Sequence, residues 1–198
     1  LRLMRSLREL PASFKRYLAA VGLFGVGDFS HSLLILAATT LLAPSLGLVQ
    51  AAQVAGLLYV GRNVVQVLAS FPIGALADRV GHRPVLVAGY ALGALTGGLI
   101  ALAVARQVHS VALLAGVFVV AGLYTAVQEA LESTVTASMV PADRLSTSYG
   151  ALGTVNGVAK FVSSAAVGLA WSLHSPAAGF ALAAGLMLAG TLAMLRAR

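Results

Sequence analysis

The stretch Gly74-Ala-Leu-Ala-Asp78-Arg79-Val-Gly81-His82-Arg83-Pro84-Val-Leu86 sets an acid, two arginines and a histidine between two long apolar runs, 51–77 and 84–105. Gly74 and Ala75 leave a small-residue face at the end of the first run. Gly81 can take the positive φ that a tight turn needs, and Pro84 suits the first turn of a following helix. The stretch therefore reads as a short, basic, water-facing turn between two apolar helices. Whether those helices live in water or in lipid is decided by the rest of the chain.

Of its 198 residues, 59% are hydrophobic and only 10% are charged, with a mean hydropathy of +0.93. A soluble domain is nearer a quarter charged, so a water-soluble fold is excluded. A bilayer core is crossed by about 20 apolar residues in a helix. Six runs meet that length, near 17–42, 51–77, 84–105, 109–131, 148–173 and 178–195, behind a basic leader over 1–16. The connectors are short and rich in Pro, Gly and polar residues, so successive spans run antiparallel. A membrane barrel is excluded, because the runs are too long and lack its alternation. The fold class expected is an all-α membrane protein with six transmembrane helices. The first run is interrupted by Asp28 and has no small-residue cleavage site, so the leader is expected to be retained rather than removed as a signal peptide. With Leu1 in place of Met, a piece of a longer chain is expected.

Orientation follows from where the basic residues fall, since cytoplasmic loops carry the excess of Lys and Arg. Arg2, Arg5, Arg8, Lys15, Arg16, Arg79, Arg83, Arg144, Arg196 and Arg198 all fall on one side, while Arg106 alone falls on the other. Both termini are thus expected in the cytoplasm of a multi-pass inner or plasma membrane protein. Arg79 and Arg83 are then placed beside anionic lipid headgroups. The net charge of +7 is explained by this asymmetry. No basic, aromatic-interleaved face of the kind that binds nucleic acid accompanies it.

Gly74-x-Leu76-Ala77-Asp78-Arg79-x-Gly81-His82-Arg83-x-x-Leu86, lying between the second and third spans, resembles the signature loop of the major facilitator superfamily. His82 stands where a basic residue is usual. The leader and first span, LRELPASFKRYLAAVGLFGVGDFS, resemble that family's interdomain linker and seventh helix. The segment VPADRLSTSYGALGTVNGVAKFVSSAAVGLAW resembles the loop and eleventh helix of its carboxy-terminal half. The resemblance implies one half of the fold, built as two inverted three-helix units, with substrate bound between halves near the midplane. It also implies that Asp78 is a latch acid, with Arg79 and Arg83 as its charge partners, held at the positive end of a helix dipole in the other half. With a second copy as that half, Asp78 would meet the start of span five near Ser146 and Thr147.

A charge near the bilayer centre costs about 2.5–3.5 kcal/mol on insertion scales, so each one calls for a reason. Asp28, Arg62 and Lys160 lie near the middle of spans one, two and five, and at about 1.5 Å per residue they come out at one depth. Helical spacing puts Gln66 one turn from Arg62, Asn156 one turn from Lys160, and His31 and Ser32 one turn from Asp28. A shared polar centre is expected, with Asp28 pairing with Arg62 or Lys160 and a substrate or proton competing for the pair. The competing reading is a buried ion pair that only fixes helix register. His31 is expected to donate one hydrogen bond. Glu129 and Glu132, at i and i+3 near the cytoplasmic end of span four, are secondary proton candidates. Their plainer reading is interfacial, paired with Arg144 or a leader arginine. Tyr17 and Trp171 fit an interfacial aromatic belt.

No nucleotide loop, nucleophile arrangement or metal-ligand cluster accompanies these residues, and the chain has no cysteine. An enzyme, a cofactor and a metal site are not expected. The function expected is secondary transport of a small solute by alternating access, as proton-coupled export of antiporter type. The partners expected are membrane lipids and a second six-helix half or a homodimer mate. The alternative is a membrane module that does not transport, either an excised half or a self-associating scaffold.

Overall fold

The computed structural model describes residues 10–197, and every regular element in them is helical. In chain order these are α1 (Ala12–Gly25), α2 (His31–Leu46), α3 (Leu48–Val80), α4 (His82–Ala105), α5 (Val111–Met139), α6 (Leu145–Leu173) and α7 (Pro176–Arg196). A short 3₁₀ turn, Ala142–Arg144, precedes α6. Five of these helices, α3 to α7, are long and apolar enough to cross a membrane. The leader arginines Arg2, Arg5 and Arg8, and Arg198, lie outside the described residues.

The first predicted span is not one helix. It breaks between Gly25 and His31, giving α1 and α2 in place of a continuous rod over 17–42. The break has local causes. A side chain on Gly27 would run into the backbone of α7 at Ala183 and Met187, so the chain approaches α7 as only glycine can. Ser30 then caps α2 by accepting from Ser32 N at 3.3 Å. In lipid, a backbone N–H released from a helix must find a partner inside the protein. Ser30 N finds the Ser164 hydroxyl of α6 at 3.1 Å, and Asp28 N reaches back to Phe24 O and Gly25 O. The i+3 and i+4 relation of Asp28 to His31 and Ser32 is consequently not a helix face.

The other predicted spans are helices extended by a few residues at their ends. The largest extension is α5, which continues to Met139 where 131 was expected. The α3–α4 turn is made by Gly81 at φ +101°, with Pro84 in the first turn of α4.

The packed centre lies among α1, α4, α5 and α7. Phe24 of α1 stacks on Tyr90 of α4 with ring centroids 3.8 Å apart, and Phe29, Phe180 and Trp171 form an edge-to-face series. Tyr17 is fully buried in this centre rather than placed at a membrane interface, and its hydroxyl donates to the Glu132 carbonyl at 2.8 Å. By contrast α3 buries only Ala51, Ala55, Arg62 and Ala77, and along one flank it presents Val60, Val64, Val67, Leu68 and an 85% exposed Phe71. α6 likewise exposes Val158, Phe161, Leu169 and Leu173. These two helices flank the packed centre, and both carry polar side chains that turn towards α5.

Candidate functional site

α5 is the spine of the polar interior. Tyr124, Thr125, Gln128, Glu129 and Glu132 follow one another at helical spacing, and each meets a polar group from another element. The first of these meetings is at the broken helix. Asp28, 2% exposed, receives the Tyr124 hydroxyl on Oδ1 at 3.0 Å and pairs through Oδ2 with Lys160 Nζ of α6 at 3.1 Å. Gln128 Nε2 stands 3.5 Å from the same Oδ2. A half-broken helix frees backbone and side chain together, which is why a carboxylate can point into the protein there.

Arg62 does not join this pair. Although it sits at mid-helix and is 3% exposed, its guanidinium turns to the other flank of α5. Nη2 donates to Thr125 Oγ1 at 2.6 Å and to His31 Nε2 at 2.7 Å, while Nη1 donates to Gln66 Oε1 at 2.8 Å and to Asn63 Oδ1 at 2.7 Å. Arginine has no acceptor atom, so His31 Nε2 must be the unprotonated nitrogen. His31 accepts here, where a donated bond was expected. Tyr59 stands with its ring 5.8 Å below the guanidinium carbon, a cation–π distance. Among the described residues Arg62 has no carboxylate partner, and its Nε is buried without a hydrogen bond. The expected single polar centre is therefore two sets, one on each flank of α5: Asp28 with Lys160, and Arg62 with His31, Gln66 and Thr125.

Glu129 and Glu132 part company in the same way. Glu129 is exposed and accepts from Gln66 Nε2 at 2.5 Å, so it is tied to the Arg62 set. Glu132, 4% exposed, accepts the Tyr90 hydroxyl on Oε1 and Asn156 Nδ2 on Oε2, both at 2.6 Å. Glu132 is thus buried inside the protein rather than interfacial, while the leader arginines Arg2, Arg5 and Arg8, the other partners expected for the two acids, lie outside the described residues. The physical reason is the length of α5: with the helix running on to Met139, Glu132 lies well inside it, facing α4 and α6.

A cavity of about 360 Å³ joins these groups. Gly25, Asp28, Thr125, Gln128, Glu129, Glu132, Asn156 and Lys160 line it, with Ser133, Leu152 and Gly157. The Lys160 side chain is 43% exposed where the Asp28 end of the pair is 3% exposed, so the cavity opens on the α6 side. Among the described residues no three of His, Asp and Glu gather as a metal ion would require.

At the α3–α4 turn, Asp78 is 75% exposed and pairs across Gly81 with His82 Nε2 at 3.3 Å. The expected pairing with Arg79 and Arg83 is not made among the described residues, and one Arg83 nitrogen is buried without a partner. Nothing lies within 4 Å of a side chain placed on Gly74. Tyr90, Thr125 and Ser164 belong to the polar interior and were not singled out from sequence as its members. Tyr124 and Gln128 share a helix face with Glu132 at four-residue steps, so the sequence carried a signal for both.

A family model described as the Major Facilitator Superfamily matches residues 19–198. No curated protein shows significant similarity to the chain.

Proposed function

Because the chain belongs to the major facilitator superfamily and is a multi-pass membrane transporter, we propose that it moves a small solute by alternating access, as proton-coupled export. In this reading α1 and α2 together make one broken crossing, so that the chain crosses six times with both termini in the cytoplasm, and the two three-helix units are of inverted orientation. Packing supports the inversion. α1 lies on α7 as α5 lies on α4, and α3 lies on α5 as α6 lies on α1, the pairing expected if the last three crossings repeat the first three.

The observation that carries the reading is the cavity beside the broken helix. Discontinuous helices are how transporters present polar groups at the midplane, and here the break delivers Asp28 to a cavity whose other charged wall, Lys160, is partly open. The open side lies next to an α6 flank that carries exposed apolar residues. A second six-helix half, from the same polypeptide or from a second copy, would close it, with Asp78 as the latch acid against that half. Lipids cover the remaining apolar surface.

The test is proton flux in proteoliposomes. With an imposed pH gradient and an internal pH dye, solutes from a panel should discharge the gradient only in vesicles that contain the protein. The solubilised mass should show a dimer or a second polypeptide. A strict monomer with no solute-dependent flux would favour the non-transporting alternative.

A further inference from the structure

Resting on the proton-coupled reading above, the geometry points to Glu132 as the carboxyl that takes up the proton, with Asn156 as the side chain that accommodates both of its states. Three carboxyls line the cavity: Asp28, Glu129 and Glu132. Protonating Asp28 would give up its pairing with Lys160 Nζ at 3.1 Å, an attraction between opposite charges that Glu132 does not have to lose. Glu129 is exposed, so water solvates either of its forms. Glu132 differs from both. It is 4% exposed, and among the described residues no Lys, Arg or His lies within ion-pairing distance of it. A carboxylate without a paired cation is costly inside a membrane protein, and one bound proton removes that charge without giving up an ion pair among the described residues.

The groups around Glu132 can serve the neutral acid as well as the anion. From α4, Tyr90 donates to Oε1; from α1, Tyr17 donates to the backbone carbonyl of the same residue; from α6, Asn156 donates to Oε2. Asp28 and Lys160 share the cavity and are tied to each other, and Gln128 and Glu129 precede Glu132 on α5 itself. Asn156 lines the cavity and Tyr90 does not, so Oε2 is the oxygen a proton from cavity water reaches. The proton forms an O–H bond at Oε2, which then needs an acceptor. An amide carries both donor and acceptor, so rotation of the Asn156 amide replaces Nδ2 with Oδ1. Oε1 remains the carbonyl oxygen and keeps the Tyr90 hydroxyl. No other bond is made or broken, and return of the proton to water restores the starting arrangement.

The experiment is infrared difference spectroscopy of the reconstituted full chain through a pH titration, following the carbonyl stretch of a protonated carboxylic acid. The wild type should show such a band appearing as pH falls. Glu132→Gln should lose it, Asp28→Asn should keep it, and Tyr90→Phe should move it to higher frequency, because the carbonyl loses its donor. If Glu132→Gln does not fold, Tyr90→Phe decides the matter. A band that stays in place in Tyr90→Phe, a band unchanged in Glu132→Gln, or the absence of any band in the folded wild type overturns the assignment. The spectrum needs no solute. A titrating Glu132 band without solute-coupled proton flux removes the transport reading alone, and flux without the band removes the Glu132 assignment alone.

Discussion

Lys160 and Arg62 are two cations near the middles of α6 and α3, and they are held in opposite ways. Lys160 meets a carboxylate, Asp28, and is itself 43% exposed; Arg62 is 3% exposed and meets only neutral groups. A paired charge with one wet end can exchange its partner for a solute or a proton. A guanidinium tied to α2, α3 and α5 by four hydrogen bonds fixes how those helices sit. The difference teaches that position along a helix does not by itself bring a charge to the cavity: Lys160 lines it and Arg62 does not.

The sharpest way to break this comparison is to remove one charge at a time. Lys160→Met strands Asp28, a buried carboxylate, and breaking a buried pair in this way costs about 3–5 kcal/mol. Because Lys160 is partly solvated, about 3 kcal/mol is expected, read as a loss of thermal stability in detergent. Asp28→Asn keeps an acceptor for the Tyr124 hydroxyl and leaves a lysine that can reach water, so about 1 kcal/mol is expected, the scale of one hydrogen bond. The double variant should recover most of the Lys160→Met loss. Equal costs for the two single variants would mean that the pair is buried at both ends and the cavity closed.

Arg62→Met is expected to have a smaller effect. It removes a charge whose burial costs about 2.5–3.5 kcal/mol and leaves Thr125, His31, Gln66 and Asn63 short of a donor. Thr125 already donates to Ala121 O at 2.9 Å, and Gln66 donates to Glu129, so much of the polar set remains satisfied. The two contributions oppose, and a net change within about 1 kcal/mol is expected. A loss larger than that of Lys160→Met would reverse the contrast and make Arg62 the critical charge.

Much of this was legible in the letters, for reasons that also explain what was not. Long apolar runs, Gly81 and the connectors placed α3 to α7 within a few residues, because in lipid the backbone must close its own hydrogen bonds and a helix is the local way to do so. The break after Gly25 was not legible. Glycines recur in every span, and what singles out Gly27 is the backbone of α7 beside it and Ser164 ready to take a freed N–H. Depth brought Asp28 and Lys160 together correctly, yet it also grouped Arg62 with them, since rise per residue says nothing of the angle at which a helix is turned. Glu132 was read as interfacial because acids commonly end a span; here the span continues past it. Tyr17 was assigned to the aromatic belt by its position near the start of a run, but the leader side of α1 folds into the packed centre, where its hydroxyl finds a carbonyl.

The smallest stability effect is expected at the turn where Asp78 meets His82. The pair is 3.3 Å apart across the Gly81 turn, between the end of α3 and the first residue of α4, and Asp78 is 75% exposed. Exposed pairs contribute about 0.2–1 kcal/mol, and many contribute nothing measurable, so Asp78→Asn should leave thermal stability in detergent almost unchanged. Its consequence should lie elsewhere. If Asp78 holds the start of a helix in the opposing half, removing its charge frees one conformation of the transporter while leaving each half folded. Cysteine-accessibility labelling from the cytoplasmic side, with probes placed along the cavity at Ser133 and Gly157, should then show a changed pattern in Asp78→Asn and none in His82→Gln. His82→Gln removes the same local pair and keeps the acid, so an equal change in both variants would reduce the turn to an ordinary helix cap.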